Sequence, residues 1–182
     1  MIIGVTGTNG SGKGTVVEYL VQKGFKHYSA REFIVEEVRR RGLHVNRDTI
    51  TPTANELRKE HGPAYIIEQL LARAKALGGY VGIESIRTIG EAQVLKVAGA
   101  VLLGVDADPL LRYKRVAKRG SETDDVDFDT FIAQEQRELM SDAPTKQNIL
   151  GVMALADYTL ENNGTVEELH KHIEQILGKI KK

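Results

Sequence analysis

Residues 7 to 15, Gly7-Thr8-Asn9-Gly10-Ser11-Gly12-Lys13-Gly14-Thr15, concentrate glycine, hydroxyl and lysine in one short loop. That chemistry suits an anion. Glycines without Cβ let backbone N–H groups turn inward and come close to phosphate oxygens, and the lysine adds a positioned charge. The spacing Gly7, four residues, Gly12, Lys13 is the Walker A pattern. The residue after Lys13 is Gly14 rather than Ser or Thr, and the hydroxyl follows on Thr15. Thr15 therefore stands either as a phosphate contact or as a Mg²⁺ contact through water.

Three further groups could work on phosphate. In the stretch Leu110 to Arg119, Arg112, Arg115 and Arg119 fall at i, i+3 and i+7 and share a helix face, with Lys114 and Lys118 in a neighbouring row. Guanidinium groups bind phosphate in pairs of hydrogen bonds and stay charged. The alternative is a solvated face neutralised by Glu122, Asp124, Asp125, Asp127 and Asp129. Arg137, on the following helix, is a candidate to close over the same phosphates. Glu84 ends the run Tyr80-Val81-Gly82-Ile83-Glu84, where a carboxylate can order the water around Mg²⁺ or pair with Arg87. Arg87 itself precedes a helix start and suits an acceptor phosphate. The histidines, at 27, 44, 61, 170 and 172, show no metal-ligand spacing.

The elements that must hold these residues follow from periodicity. Ile2-Ile3-Gly4-Val5 is a short apolar run typical of a buried parallel strand, expected over Ile2 to Thr6, and Thr15 to Val21 has helical spacing. Strand, loop, helix aims a helix N-terminus at a phosphate. Further strands are expected at Phe25 to Tyr28, Tyr80 to Glu84, Ala100 to Val105 and Tyr158 to Leu160. Alternating runs and helices predict an α/β sandwich, a five-stranded parallel sheet with helices on both faces. Capping-box pairs Ser29 with Glu32, Thr53 with Glu56, Thr88 with Glu91, and Thr165 with Glu168 mark helix starts. Pro63 and Pro109 suit first-turn positions. Between strands, residues 29–77 are longer than a simple crossover. They should hold helices at Arg31 to Arg41, Thr53 to His61 and Pro63 to Leu77 and form a flap over the ligand-binding edge. Residues 110–140 form the lid region. The turn Asn162-Asn163-Gly164-Thr165 precedes the last helix, and Asn163 is the candidate nearest a donor base.

Composition fits one intracellular enzyme domain spanning residues 1–182. The chain has 182 residues, 41% of them hydrophobic and 27% charged, with zero net charge. Neutrality argues against a dedicated nucleic-acid binder. Zero cysteines exclude disulfides, cysteine catalysis and thiolate metal sites and suit a reducing compartment, so the expected location is cytoplasmic. No apolar run approaches the roughly 20 residues of a membrane span. Strand residues begin at Ile2, which leaves no room for a signal peptide. Nothing in the sequence fixes an oligomeric state.

Gly12-Lys13-Gly14-Thr15 resembles the end of the adenylate kinase phosphate loop, and the resemblance covers most of the chain. Tyr28-Ser29-Ala30-Arg31-Glu32 stands where adenylate kinases carry Ser-Thr-Gly-Asp, and Glu84-Ser85-Ile86-Arg87-Thr88 is similar to their Asp-Gly-Phe-Pro-Arg-Thr. Arg115 and Arg119 resemble the lid arginines. Val38 to Gly42, Leu57 to Pro63 and Ala156-Asp157-Tyr158 look most like archaeal-type kinases related to both adenylate kinase and dephospho-CoA kinase. The resemblance implies a nucleoside monophosphate kinase that uses ATP and Mg²⁺. Its acceptor site would draw on Ser29, Arg31, Arg39, Glu84 and Arg87. An arginine of the first acceptor helix is replaced by Val35, so Arg31 or Arg39 would substitute, and the acceptor-motif proline is missing. Dephospho-CoA kinase is one alternative, and a nucleotide-dependent regulatory ATPase is another.

Overall fold

The apolar run after Met1 becomes the middle of a sheet. The computed structural model describes residues 1–120 and 126–180. Ile2–Gly7 (β1) pairs in parallel with Val81–Glu84 (β3) on one side and Val101–Asp106 (β4) on the other. Lys26–Ser29 (β2) and Tyr158–Glu161 (β5) complete the edges, giving the order β2-β3-β1-β4-β5. Because all pairings are parallel, the strand ends Gly7, Ser29, Glu84, Asp106 and Glu161 lie along one edge. That edge carries the candidate chemistry.

Helices cover both faces. Lys13–Gln22 (α1) and Val166–Ile180 (α9) enclose Ile3, Val5, Val16, Leu20, Leu103, Leu169 and Ile173 on one face. On the other, Ala30–Arg40 (α2), Arg47–His61 (α3), Tyr65–Leu77 (α4) and Ile89–Val97 (α5) pack with Ile66, Leu70, Ile83, Ile86, Leu95 and Leu102. Alternation along β1 sends Ile3 and Val5 to the first cluster, as period-two geometry requires. Pro109–Arg119 (α6), Phe128–Leu139 (α7) and Ile149–Ala154 (α8) lie between β4 and β5.

The capping pairs at 29, 88 and 165 act as helix starts. The Glu32 N–H donates to Ser29 Oγ, while Thr88 with Glu91 and Thr165 with Glu168 exchange both bonds. Thr53 does not cap: α3 starts at Arg47, where Asn46 and Thr49 form the box. Pro52 sits inside that helix. Its missing N–H removes the i→i+4 bond to the Asp48 carbonyl, a loss the helix survives because Ala54 and Leu57 are buried beneath it. Pro63 lies just outside α4, held by Thr88 Oγ1, which donates to its carbonyl. Pro109 is in the first turn of α6, as expected. Glu122, Asp124 and Asp125 lie outside the described residues. Among those described, no helix is long and apolar enough to cross a membrane.

Candidate active site

The loop after β1 is clamped from beneath. Gly7, Gly10 and Gly12 have positive φ of 144°, 75° and 100°. A Cβ on Gly7 would stand 2.0 Å from the Val105 carbonyl oxygen, and one on Gly12 would stand 2.1 Å from Asn162 Nδ2. Gly10 leaves 2.5 Å to the Arg112 carbonyl oxygen. Backbone and neighbours both require glycine there. Gly14 differs: nothing lies within 4 Å of the position its Cβ would take.

Asn162 holds the loop in place. Its Nδ2 donates to the Ser11 carbonyl at 2.8 Å, its N–H donates to the Asp106 carbonyl at 2.7 Å, and its own carbonyl accepts from Arg115 Nη2 at 2.9 Å. Thr8 Oγ1 donates to Asp106 Oδ1 at 2.6 Å. Ser11 Oγ is buried and has no partner among the described residues. Lys13 Nζ bends back to the Thr8 carbonyl at 2.6 Å. Although the residue keeps some exposure, burial of its ammonium and then the charge of Arg87 lower its pKa from 10.5 to about 7. Glu84 and Glu138 pull in the opposite direction.

A cavity of about 1020 Å³ opens over this loop. Asn9, Gly10, Gly12, Lys13, Gly14 and Thr15 form its floor, and Glu84, Arg87, Arg115 and Arg119 surround it. Arg31, Ile34, Ile50 and Ala54 from the α2 and α3 insertion form the far wall. Gly7, Thr8 and Ser11 lie below the lining and shape the loop. Ser29 is buried and reaches the cavity through Glu84: Ser29 Oγ donates to one carboxylate oxygen at 2.6 Å and Ser85 Oγ to the other at 2.7 Å. Ser85 has φ of 68°, a strained conformation outside glycine, at this same strand end. Arg115 Nη1 is buried beside the cavity and has no partner among the described residues.

Three expected residues lie elsewhere. Arg39 is exposed at the far end of α2 and reaches neither cavity, because it sits eight residues, about 12 Å of helix, beyond Arg31. Asn163 is exposed and accepts from the Asp108 N–H, so its neighbour Asn162 is the one on the loop. Arg137 faces a second, smaller cavity against α3 rather than the phosphate loop. Arg112, read as part of a phosphate stripe, turns inward. It is buried, its guanidinium grips Glu135 with both terminal nitrogens, and its Nε donates to the Ala107 carbonyl at 2.8 Å. It braces the loop, with Nη1 donating to the Asn9 carbonyl at 3.4 Å.

Sequence reasoning missed Arg58, Asn162, Glu138 and Gln147. Arg58 lines the cavity while buried, and its Nε and Nη2 donate to Glu91 at 2.9 and 2.8 Å. Glu91 also accepts from the Arg87 and Thr88 N–H groups, so one carboxylate ties the insertion to the backbone of Arg87. Arg87 Nη1 donates to Glu138 at 3.2 Å and Gln147 at 3.4 Å. For Mg²⁺, the cavity presents Glu84 and Thr15, with Glu18 and Glu138 also in its lining, and no cluster of three or more metal-ligating side chains exists among the described residues. That sparse donor set fits Mg²⁺, which keeps most of its waters and takes one or two carboxylates plus phosphate oxygens.

Residues 3–141 match the family model described as an AAA domain. The UPF0200 protein of Pyrobaculum aerophilum is 32% identical over 179 residues, covering 97% of this chain and 96% of the relative. This chain belongs to the UPF0200 family. A second UPF0200 relative, from Thermococcus kodakarensis, is 28% identical over 187 residues, with 99% and 98% coverage. Among solved structures, a shikimate kinase from Bacteroides thetaiotaomicron superposes with a TM-score of 0.60 at 14% identity, covering 98% of each chain. A dephospho-CoA kinase from Campylobacter jejuni gives 0.59 at 14% identity over 98% and 96%. At such identities the likeness concerns the fold. This UPF0200 protein has the P-loop kinase architecture, a five-stranded all-parallel sheet flanked by helices.

Proposed function

We propose that this UPF0200 protein is a phosphotransferase that moves the γ-phosphoryl group of Mg-ATP to a nucleoside monophosphate, in the manner of adenylate kinase. One observation carries the reading. A single cavity joins the phosphate loop, the carboxylate of Glu84 and the guanidinium groups of Arg87, Arg115 and Arg119 to a separate wall built by the insertion. A hydrolase needs only a water on that side, whereas this wall encloses room for a second substrate. Residues 1–182 then work as one domain in the cytoplasm, with 29–77 as the acceptor-binding insertion and 110–140 as the lid.

The acceptor phosphate oxygen attacks the γ-phosphorus, the bond from that phosphorus to the β–γ bridging oxygen breaks, and ADP leaves with the electron pair. Such transfer rests on positioning and charge stabilisation. Loop N–H groups and Lys13 hold the β and γ phosphates. Arg87 holds the acceptor phosphate, while Arg115 and Arg119 face the transferring oxygens and Arg31 stands at the acceptor wall. Mg²⁺, when bound, neutralises phosphate charge, and Glu84 and Thr15 would hold it through water.

The test is ADP formation from Mg-ATP with a panel of ribo- and deoxynucleoside monophosphates and dephospho-CoA, using Lys13→Ala as the blank. The expected result is stimulation by a monophosphate well above the hydrolysis background, and a drop of roughly a hundredfold or more in the variant. Stimulation by dephospho-CoA alone would move the reaction to a ribose hydroxyl. Slow hydrolysis indifferent to every acceptor would leave a regulatory ATPase.

A further inference from the structure

A second cavity of about 380 Å³ lies between α3, α7 and residues 146–147. It shares Thr51, Glu138 and Gln147 with the main cavity, so the two are neighbours with a partition made of side chains. Two of those side chains, Glu138 and Gln147, accept from Arg87 Nη1. A phosphate arriving at Arg87 competes for that same guanidinium. Glu138 and Gln147 therefore stand between the Arg87 side of the main cavity and the second one.

The lining of the second cavity is built for a charged, hydroxylated group. Arg137 and Lys146 both face it, and among the described residues neither side chain has an ion-pair or hydrogen-bond partner. Asn55 Oδ1, on the α3 side, is buried and has no partner among the described residues. Asp48 is the acid on this cavity beside Glu138, whose carboxylate is turned to Arg87. Two unpaired cations over one cavity suit an anion, and the unpartnered Asn55 Oδ1 suits a hydroxyl donor.

We propose that the second cavity is a subsite for a second phosphate on the acceptor, so that the preferred acceptor is a sugar-bearing bisphosphate rather than a simple monophosphate. This rests on the acceptor reading of the main cavity and narrows its substrate class. One phosphate sits at Arg87 and receives the transferred group. The other sits between Arg137 and Lys146, with a ribose hydroxyl donating to Asn55 Oδ1.

The experiment is calorimetric binding of adenosine 5′-monophosphate, adenosine 2′,5′-bisphosphate and adenosine 3′,5′-bisphosphate. The donor site is first filled with Mg²⁺ and a non-hydrolysable ATP analogue, which keeps the probes out of it. The readout is the ratio of bisphosphate to monophosphate affinity. At least one bisphosphate should bind roughly tenfold tighter than the monophosphate, the scale of one charged hydrogen-bonding group. That ratio should fall toward one in Arg137→Ala and, separately, in Lys146→Ala; both positions are exposed, and a thermal melt confirms folding. A ratio of one in the unmodified protein overturns the subsite, as does a ratio that survives both substitutions or an ATP-loaded protein that binds none of the probes. Failure of the ATP analogue itself to bind would instead overturn the kinase reading.

Discussion

Lys13 is held in the empty loop with its charge disfavoured. With its pKa lowered to about 7, it is largely neutral at pH 8, and a bound polyphosphate restores its charge. Binding of Mg-ATP at pH 8 should therefore take up about one proton that is absent in Lys13→Ala, and the difference should vanish near pH 6. Calorimetry in two buffers of different ionisation enthalpy reads the proton count. The same shift bears on stability. Between about pH 7 and 10.5 the unfolded chain holds a proton that the folded chain lacks, so the empty protein should gain stability as pH rises through that window, and Lys13→Met should flatten the gain in urea melts. The glycines split in the same way. Gly12→Ala should abolish nucleotide binding, since its Cβ would meet Asn162 at 2.1 Å, whereas Gly14→Ala should be tolerated and stabilise the start of α1 by about 0.5–1 kcal/mol. Melting curves and nucleotide titrations separate the two. The loop was legible in the sequence because its requirement is local, a fixed spacing of residues without Cβ. Asn162 was not, because its bond to the Ser11 carbonyl spans 151 positions and only the sheet brings the two together.

Among the elements, strands and most caps follow from short-range pattern, while the insertion depends on contacts that pattern does not carry. The five apolar runs became the five strands, each displaced by no more than about one residue. Helix α3 began earlier than expected because Asn46 and Thr49 form a box that Asn-Thr spacing only weakly signals, and because burial of Ala54 and Leu57 overrides Pro52. The arginine stripe of α6 was visible as a stripe, but only tertiary packing assigns Arg112 to Glu135 and leaves Arg115 at the cavity. Arg58 is the stronger case: nothing in its neighbours announces an ion pair with Glu91, 33 positions away. Removing it leaves Glu91 buried without its cation, so Arg58→Ala should cost about 3–5 kcal/mol in denaturant melts. Because Glu91 also holds the Arg87 N–H, acceptor KM should rise in the same variant. Arg39→Ala, at an exposed position away from both cavities, should change stability by no more than about 0.5 kcal/mol and leave turnover unaltered. A loss of turnover there would return Arg39 to the acceptor site.

At the scale of the whole molecule, the two segments that follow β3 and β4 bring together a pair of opposite charges. Arg87 comes from the β3 edge and Glu138 from the end of α7, and they are 3.2 Å apart with both side chains about one-fifth exposed. In the proposed reaction the acceptor phosphate needs that guanidinium, so Glu138 is a competitor that must let go before the acceptor can be held. Glu138→Gln keeps the shape and removes the charge. It should lower acceptor KM roughly three- to tenfold, the range expected for release of one partly buried ion pair of about 1 kcal/mol. The kcat should stay within about twofold, since no step of the transfer uses the carboxylate. Raised salt should shrink the difference between the two proteins, because screening weakens the same pair in the unmodified chain. A fall in kcat at constant KM would show instead that the carboxylate acts in the transfer step, and Arg87 would then be held by Glu138 for the reaction rather than withheld from it.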